Sequence, residues 1–223
     1  MAVSGGKTGC GARQGQRDQH RAQGRADHAG TPCLSLQRRP DCAEMGTALH
    51  AFLEHADFAS LAAAKAAGTL EEAILAERQR QVDTRLVAPE IAEKLNAGRI
   101  RRFAESEAFA KICAAEKVLR ELAFITALPA SAVLTAQGAS AQTAAVQDEQ
   151  VLVQGIADLV LVFPDHLELL DYKTDRRKTE ADFLSAYRPQ LNLYALAIDK
   201  RFAPKKVTYK GIYSLELGRL IEV

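Results

Sequence analysis

No two cysteines in this sequence are spaced as Cys-x-x-Cys. The four present, Cys10, Cys33, Cys42 and Cys113, follow no regular interval, which argues against a zinc site and against a disulfide framework. Free thiols in a reducing cytoplasm are the default expectation. No apolar run approaches the ~20 residues of a membrane span, and the N-terminus lacks the apolar core of a secretory signal. The formal net charge is only +1, so no global field draws nucleic acid, and any such contact must come from local patches. The five histidines are too scattered for a metal-binding tract. No internal repeat is evident.

What remains is ordinary globular content, 48% hydrophobic and 26% charged over 223 residues. That is enough for one large domain, or a domain with an appendage, around a real core. Residues 1–44 stand apart. They are rich in Gly, Arg, Gln and Ala, hold no aromatic residue, and offer Val3, Leu34 and Leu36 as their only aliphatic side chains larger than alanine. Such a segment cannot bury enough apolar area to offset its ordering entropy. It is expected to be disordered or non-native, an out-of-frame junction being one possible origin, with the folded domain over 45–223. Gly6-Lys7-Thr8 ends like a phosphate-binding loop, but Met1 stands where that loop needs its first glycine and no strand precedes it. No ATP site is expected.

The chain is organised around Gln154–Lys173, QGIADLVLVFPDHLELLDYK. Two β-rich runs flank a polar turn and read as an antiparallel hairpin. A loop centred on Pro164-Asp165 sets Asp158 opposite Asp171, with Cβ atoms roughly 4.5–5.5 Å apart. Lys173, two residues on, shares the face of Asp171. Two facing carboxylates repel one another in an apolar hairpin, and a divalent cation removes that cost. Carboxylate oxygens suit Mg²⁺ or Mn²⁺ and not zinc. The bland alternative is a partly exposed hairpin whose acids point to water.

Around this hairpin the chain alternates between scaffold and strand. From Met45 a helical stripe carries Leu49, Phe52, Leu53 and Ala56, with His50 and Glu54 an i, i+4 pair beside it. On spacing alone His50 reads as a partly exposed helix histidine. Helices are expected over 58–67 and 70–83 with a break at Gly68-Thr69, then after Pro89 and over 100–103 and 109–113. Residues 117–128 read as a strand interrupted by Glu121, which either joins the site or pairs with Arg120 or a surface lysine. Ser131–Gln150 reads as a surface loop. Arg176, Arg177 and Lys178 form a basic loop that meets phosphates or stays solvated. A second helical stretch, 183–200, is expected to break and restart at Pro189, placing Gln190 and Tyr194 one turn apart on one face. Residues 206–214 and 219–223 read as a closing hairpin.

Four motifs in this order resemble one family. They are Gly46-Thr47-Ala48-Leu49-His50, Gln154-Gly155-Ile156-Ala157-Asp158, Leu170-Asp171-Tyr172-Lys173-Thr174-Asp175, and Tyr187-Arg188-Pro189-Gln190-Leu191-Asn192-Leu193-Tyr194. The chain is similar to RecB-like PD-(D/E)XK nucleases over about residues 45–223, most of all to the nuclease domain that ends AddA-type helicase–nuclease subunits. The resemblance implies an α/β fold, a restriction-endonuclease-like core with a central mixed sheet flanked by helices and an N-terminal helical layer bearing His50. It implies metal ligation by His50, Asp158, Asp171 and the backbone carbonyl of Tyr172. Lys173 would orient or deprotonate the attacking water, while Gln190 and Tyr194 would brace the site and the DNA strand. Glu121, in Arg120-Glu121-Leu122-Ala123-Phe124, matches a position where the family often carries an acid.

The implied activity is Mg²⁺-dependent cleavage of DNA at single-stranded ends, with Mn²⁺ as a substitute metal, in recombinational repair of double-strand breaks. Implied partners are DNA, a helicase portion and an AddB-type protein, in the cytoplasm and without a membrane. No cysteine follows Cys113, so the iron–sulfur cluster of some relatives is not expected. Two other readings are a non-catalytic DNA-binding or subunit-docking module and a stand-alone phage-type nuclease.

Overall fold

The structure, a computed structural model, describes residues 42–139 and 149–223. Most of the 1–44 segment, and with it Gly6-Lys7-Thr8, lies outside these residues. A helix already begins at Cys42.

Helices come first: α1 (Cys42–His55), α2 (Phe58–Ala67), α3 (Leu70–Asp83), α4 (Pro89–Ala92), α5 (Ala97–Ala104) and α6 (Glu107–Ala114). Local chemistry sets their ends. The Asp57 side chain accepts from the Ser60 N–H and caps α2, which Gly68 closes in the left-handed conformation at φ 77°. Pro89 occupies the first turn of α4, where its missing N–H costs nothing. Asn96 and Ser106 cap α5 and α6 through their side chains. The spans of α2 and α3 are those expected from the sequence.

The rest of the chain is β1 (Lys117–Pro129), α7 (Ala130–Ala136), β2 (Gln150–Val162), β3 (Leu167–Lys173), α8 (Glu180–Arg201), β4 (Val207–Ser214) and β5 (Arg219–Glu222). One five-stranded sheet runs in the order β1-β2-β3-β4-β5. Only the β3–β4 pair is parallel, and α8 supplies the crossover that a parallel pair needs. Leu159 lies opposite Leu170 and Val162 opposite Leu167, the register expected for a turn at Pro164-Asp165. One sheet face, through Leu159, Leu161, Leu170, Tyr172 and Tyr213, packs on the N-terminal helices. The other, through Val153, Val160, Leu169 and Ile212, packs on α7 and α8. This is the expected mixed sheet between helical layers. Among the described residues no helix is long and apolar enough to cross a membrane.

Two expectations fail. Ser131–Gln150 is not all loop: its first residues belong to α7, where Val133 finds a buried seat against the α8 layer. Residues 140–148 lie outside the described ones. Nor does Pro189 interrupt its helix, for α8 runs unbroken from Glu180 to Arg201. The proline forfeits one backbone hydrogen bond. Burial of Phe183 before it and of Leu191, Ala197 and Ile198 after it outweighs that loss. A capping box between Thr179 and Asp182 fixes the start of the helix.

Among the described residues β1 is an edge strand, and there Arg201 and Lys200 reach back from α8 and donate to the carbonyls of Ala123 and Ala127, at 2.8 and 2.7 Å.

Under α1, the buried Glu77 accepts from Arg80, Gln81 and the Asp57 N–H. Burial pushes this carboxyl up, but the three donors outweigh it and hold it below the ordinary glutamate range. Its stabilising contribution is therefore complete above the unfolded pKa of about 4.3 and is lost as pH falls through the lower folded value. Glu77→Gln is expected to lower stability by about 1–3 kcal/mol at pH 7 and by progressively less below about pH 4. Urea melts at several pH values measure both.

Candidate metal centre

The alternation of β1 and β2 breaks at a single row. Leu122, Phe124 and Leu128 of β1 face the α8 layer, and so does Leu119, an odd number of positions away. On β2, Val153 and Ala157 face that layer and so does Val160, while Leu159 faces the other. Glu121 and Asp158 stand at the two breaks and opposite one another, because Arg120 pairs with Leu159 and Leu122 with Ala157. Glu121 has φ 45°, a left-handed conformation that side chains other than Gly, Asn and Asp seldom adopt. Since both strands break together, their register is the same on either side.

Helix α1 lays His50 over this row. Its stripe of Leu49, Phe52 and Leu53 is buried in the core, which leaves His50 at the stripe's margin. Gly46 permits the approach, since a Cβ there would lie 2.9 Å from the Thr174 hydroxyl. His50 Nδ1 is 3.7 Å from Glu121 Oε1 and 3.8 Å from Asp158 Oδ2. The ring meets Tyr172 edge-on, centroids 5.9 Å apart. Asp158 Oδ2 also accepts the Tyr172 N–H at 2.8 Å. Burial raises the Asp158 pKa, against the opposing pull of His50 and that N–H.

Asp171 lies beside this group. It is only 4% exposed, and strand alternation with Leu167 and Leu169 turns it toward α8. Its Oδ2 forms an ion pair with Lys173. Burial, and then the charge of Asp158, push its pKa up to about 6. Burial alone would lower the Lys173 pKa, but Asp171 outweighs it and keeps the ammonium protonated. The Lys173 Nζ lies 4.8 Å from the Tyr187 ring centroid. Tyr187 in turn donates its hydroxyl to Asp175 at 2.8 Å, and Lys178 is 2.8 Å from Asp175 and donates to the Tyr187 hydroxyl at 3.2 Å.

These placements revise the sequence reading in several respects. The acids do not merely point to water. One donor atom each from His50, Glu121 and Asp158 lie within 4.8 Å of one another, so Glu121 joins the site, the first of the alternatives its sequence left open. Glu121 does not pair with Arg120, whose guanidinium donates to the Glu54 carbonyl. Lys178, still about a third exposed, is tied to Asp175 and Tyr187. Tyr194 packs its ring on Phe124, 4.9 Å between centroids, and against Gly155; Gln190 is half-buried one turn earlier. Sequence reasoning assigned no role to Tyr187 or Asp175. Both sit at the ends of quoted motifs, but no spacing reveals that a ring would lie under the lysine.

The donor types suit one divalent cation. Ligands held ~2.1 Å from a common ion lie at most about 4.2 Å apart; the two His50 contacts fall inside that limit, and the three donor atoms together lie within 4.8 Å. An imidazole with two carboxylates suits Mn²⁺ as well as Mg²⁺.

Gly155 marks how tightly α8 closes on the site. A Cβ there would lie 2.8 Å from both the Phe124 and the Tyr194 rings. Gly155→Ala is expected to destabilise the fold by about 1–3 kcal/mol through overpacking, read from chemical denaturation.

Residues 21–219 match the PD-(D/E)XK nuclease superfamily. Curated relatives include the A-type subunits of ATP-dependent helicase/nucleases. That of Ligilactobacillus salivarius is 34% identical over 69% of this chain and 12% of its own length. That of Heliobacterium modesticaldum is 33% identical over 83% of this chain and 13% of its own. The chain spans about an eighth of the length of these relatives.

Proposed function

Because the chain belongs to the PD-(D/E)XK nuclease superfamily, we propose that it hydrolyses DNA phosphodiester bonds with Mg²⁺, Mn²⁺ substituting, as the nuclease domain of an AddA-type helicase–nuclease. The observation that carries the reading is the convergence of His50, Glu121 and Asp158 on one row of the sheet, with the Asp171–Lys173 pair beside them. His50, Glu121 and Asp158 would hold the cation, with Asp171 and the Tyr172 carbonyl completing its surroundings. The chemistry supplied there would be polarisation of a phosphate oxygen and a lowered pKa of water. Lys173, paired with Asp171, would orient or deprotonate the attacking water and neutralise phosphate charge. Tyr187, held by Asp175 and Lys178, limits where the Lys173 amine can go. Gln190 and Tyr194 brace α8 against the ribbon along which the DNA strand approaches.

The substrate is DNA with single-stranded ends, in recombinational repair of double-strand breaks in the cytoplasm. The helicase portion and an AddB-type partner belong to the longer protein, so the isolated domain cleaves weakly and with little processivity. End-labelled single-stranded and duplex DNA, incubated with Mg²⁺, with Mn²⁺ or with a chelator, tests this. Metal-dependent shortening of the single strand is the expected result. A folded protein that cuts neither substrate with either metal overturns the reading.

A further inference from the structure

Arg120 immediately precedes Glu121, and both reach helix α1. Consecutive strand residues point to opposite faces, so the pair can do this only because the left-handed φ of Glu121 breaks the alternation between them. Glu121 meets His50, while Arg120 Nη1 donates to the carbonyl of Glu54 at 3.0 Å. His50 and Glu54 are one helical turn apart, so the two contacts run side by side. The Arg120 guanidinium also lies 4.0 Å from the ring centroid of Phe58, the first residue of α2. It is half-buried, and burial pulls its pKa below the ordinary arginine value. A half-buried cation whose hydrogen bond goes to a helix's last turn and whose face stacks on the next helix is placed to hold that corner.

We propose that Arg120 is a positioning residue of the metal centre: it clamps the last turn of α1 to the break in β1 and so holds His50 over Glu121 and Asp158. This rests on the metal-site reading above. Partners one step removed from a metal ligand typically change affinity 10–100-fold when lost.

The test titrates Mn²⁺ alone into purified wild type, Arg120→Met, Arg120→Gln and Arg120→Lys by calorimetry, with circular dichroism to check folding. The glutamine variant stands in if the methionine variant misfolds. Arg120→Met is expected to raise the Mn²⁺ dissociation constant about tenfold. Arg120→Lys should recover most of it, since an ammonium can still reach the Glu54 carbonyl, and cleavage by Arg120→Met should recover at saturating Mn²⁺. In metal-free protein, NMR cross-peaks between the His50 and Tyr172 rings should weaken in Arg120→Met. An unchanged dissociation constant with unchanged cross-peaks in a folded variant overturns the proposal. So does lost cleavage that metal cannot restore at unchanged Mn²⁺ affinity, which would make Arg120 a substrate contact. If wild type itself binds no Mn²⁺, the metal-site reading fails, and the ring cross-peaks alone decide the clamp.

Discussion

Cleavage of single-stranded DNA is expected to fall by about 10²–10³-fold or more when Lys173 is replaced by alanine, the usual loss when one preorganised electrostatic contact to the transition state is removed. Lys173 pairs directly with the site carboxylate of Asp171, and it is largely buried on the floor formed by Asp171 and Tyr187. Removing it has two effects. The developing phosphate charge loses its ammonium, and Asp171 keeps its burial without its counter-charge, so its pKa moves further up from about 6. The second effect separates this variant from simple unfolding. Circular dichroism should remain that of wild type while single-turnover cleavage at saturating Mg²⁺ collapses. Lys173→Arg restores charge but not the compact ammonium geometry, and should recover only a fraction of the rate. Undiminished cleavage by a folded Lys173→Ala would remove the lysine from the chemistry.

Asp158→Asn should separate stability from function. The asparagine oxygen can still accept the Tyr172 N–H, so the hydrogen bond seen at 2.8 Å can survive. What goes is a negative charge that burial already disfavours and that raises the pKa of Asp171. Without metal, the variant is therefore expected to be as stable as wild type or more stable, by about 1 kcal/mol. Its response to metal should differ sharply. Ligand binding to the native state stabilises by about 2.7 kcal/mol at a hundred times the dissociation constant, so millimolar Mn²⁺ should raise the wild-type melting temperature by several degrees. The same addition should leave Asp158→Asn where it was and its cleavage undetectable. Equal metal-induced shifts in both proteins would show that the ion binds elsewhere.

How far the sequence alone reaches is clear from individual residues. The limits of α2 and α3 were legible because Gly68 and Thr69 punctuate two alanine-rich runs. The β2–β3 register was legible because Pro164-Asp165 centres its turn and the flanking apolar runs are symmetric. His50 became a candidate only through the resemblance; its own helix spacing suggested a partly exposed side chain, which it is. The cluster it joins depends on a break in two strands at once, and Glu121 carries no glycine-like signal that it would adopt φ 45°. Strand periodicity therefore set Asp158 and Asp171 on one face, whereas the break turns Asp158 toward α1. Pro189 misled for a different reason. A local rule about one missing N–H was applied to a helix held by burial along its length. The role of Arg120 was hidden because its partner is a main-chain carbonyl, which no pattern of side chains displays.

The two cations folded over the margin of β1 bear on how this domain behaves when concentrated. Thirteen residues of strand, with Ile125 65% exposed, would otherwise offer neighbouring molecules a template for fibril growth. With Arg201 on the Ala123 carbonyl and Lys200 on that of Ala127, an incoming strand must first dislodge a charge. Self-association along that border is opposed before it starts.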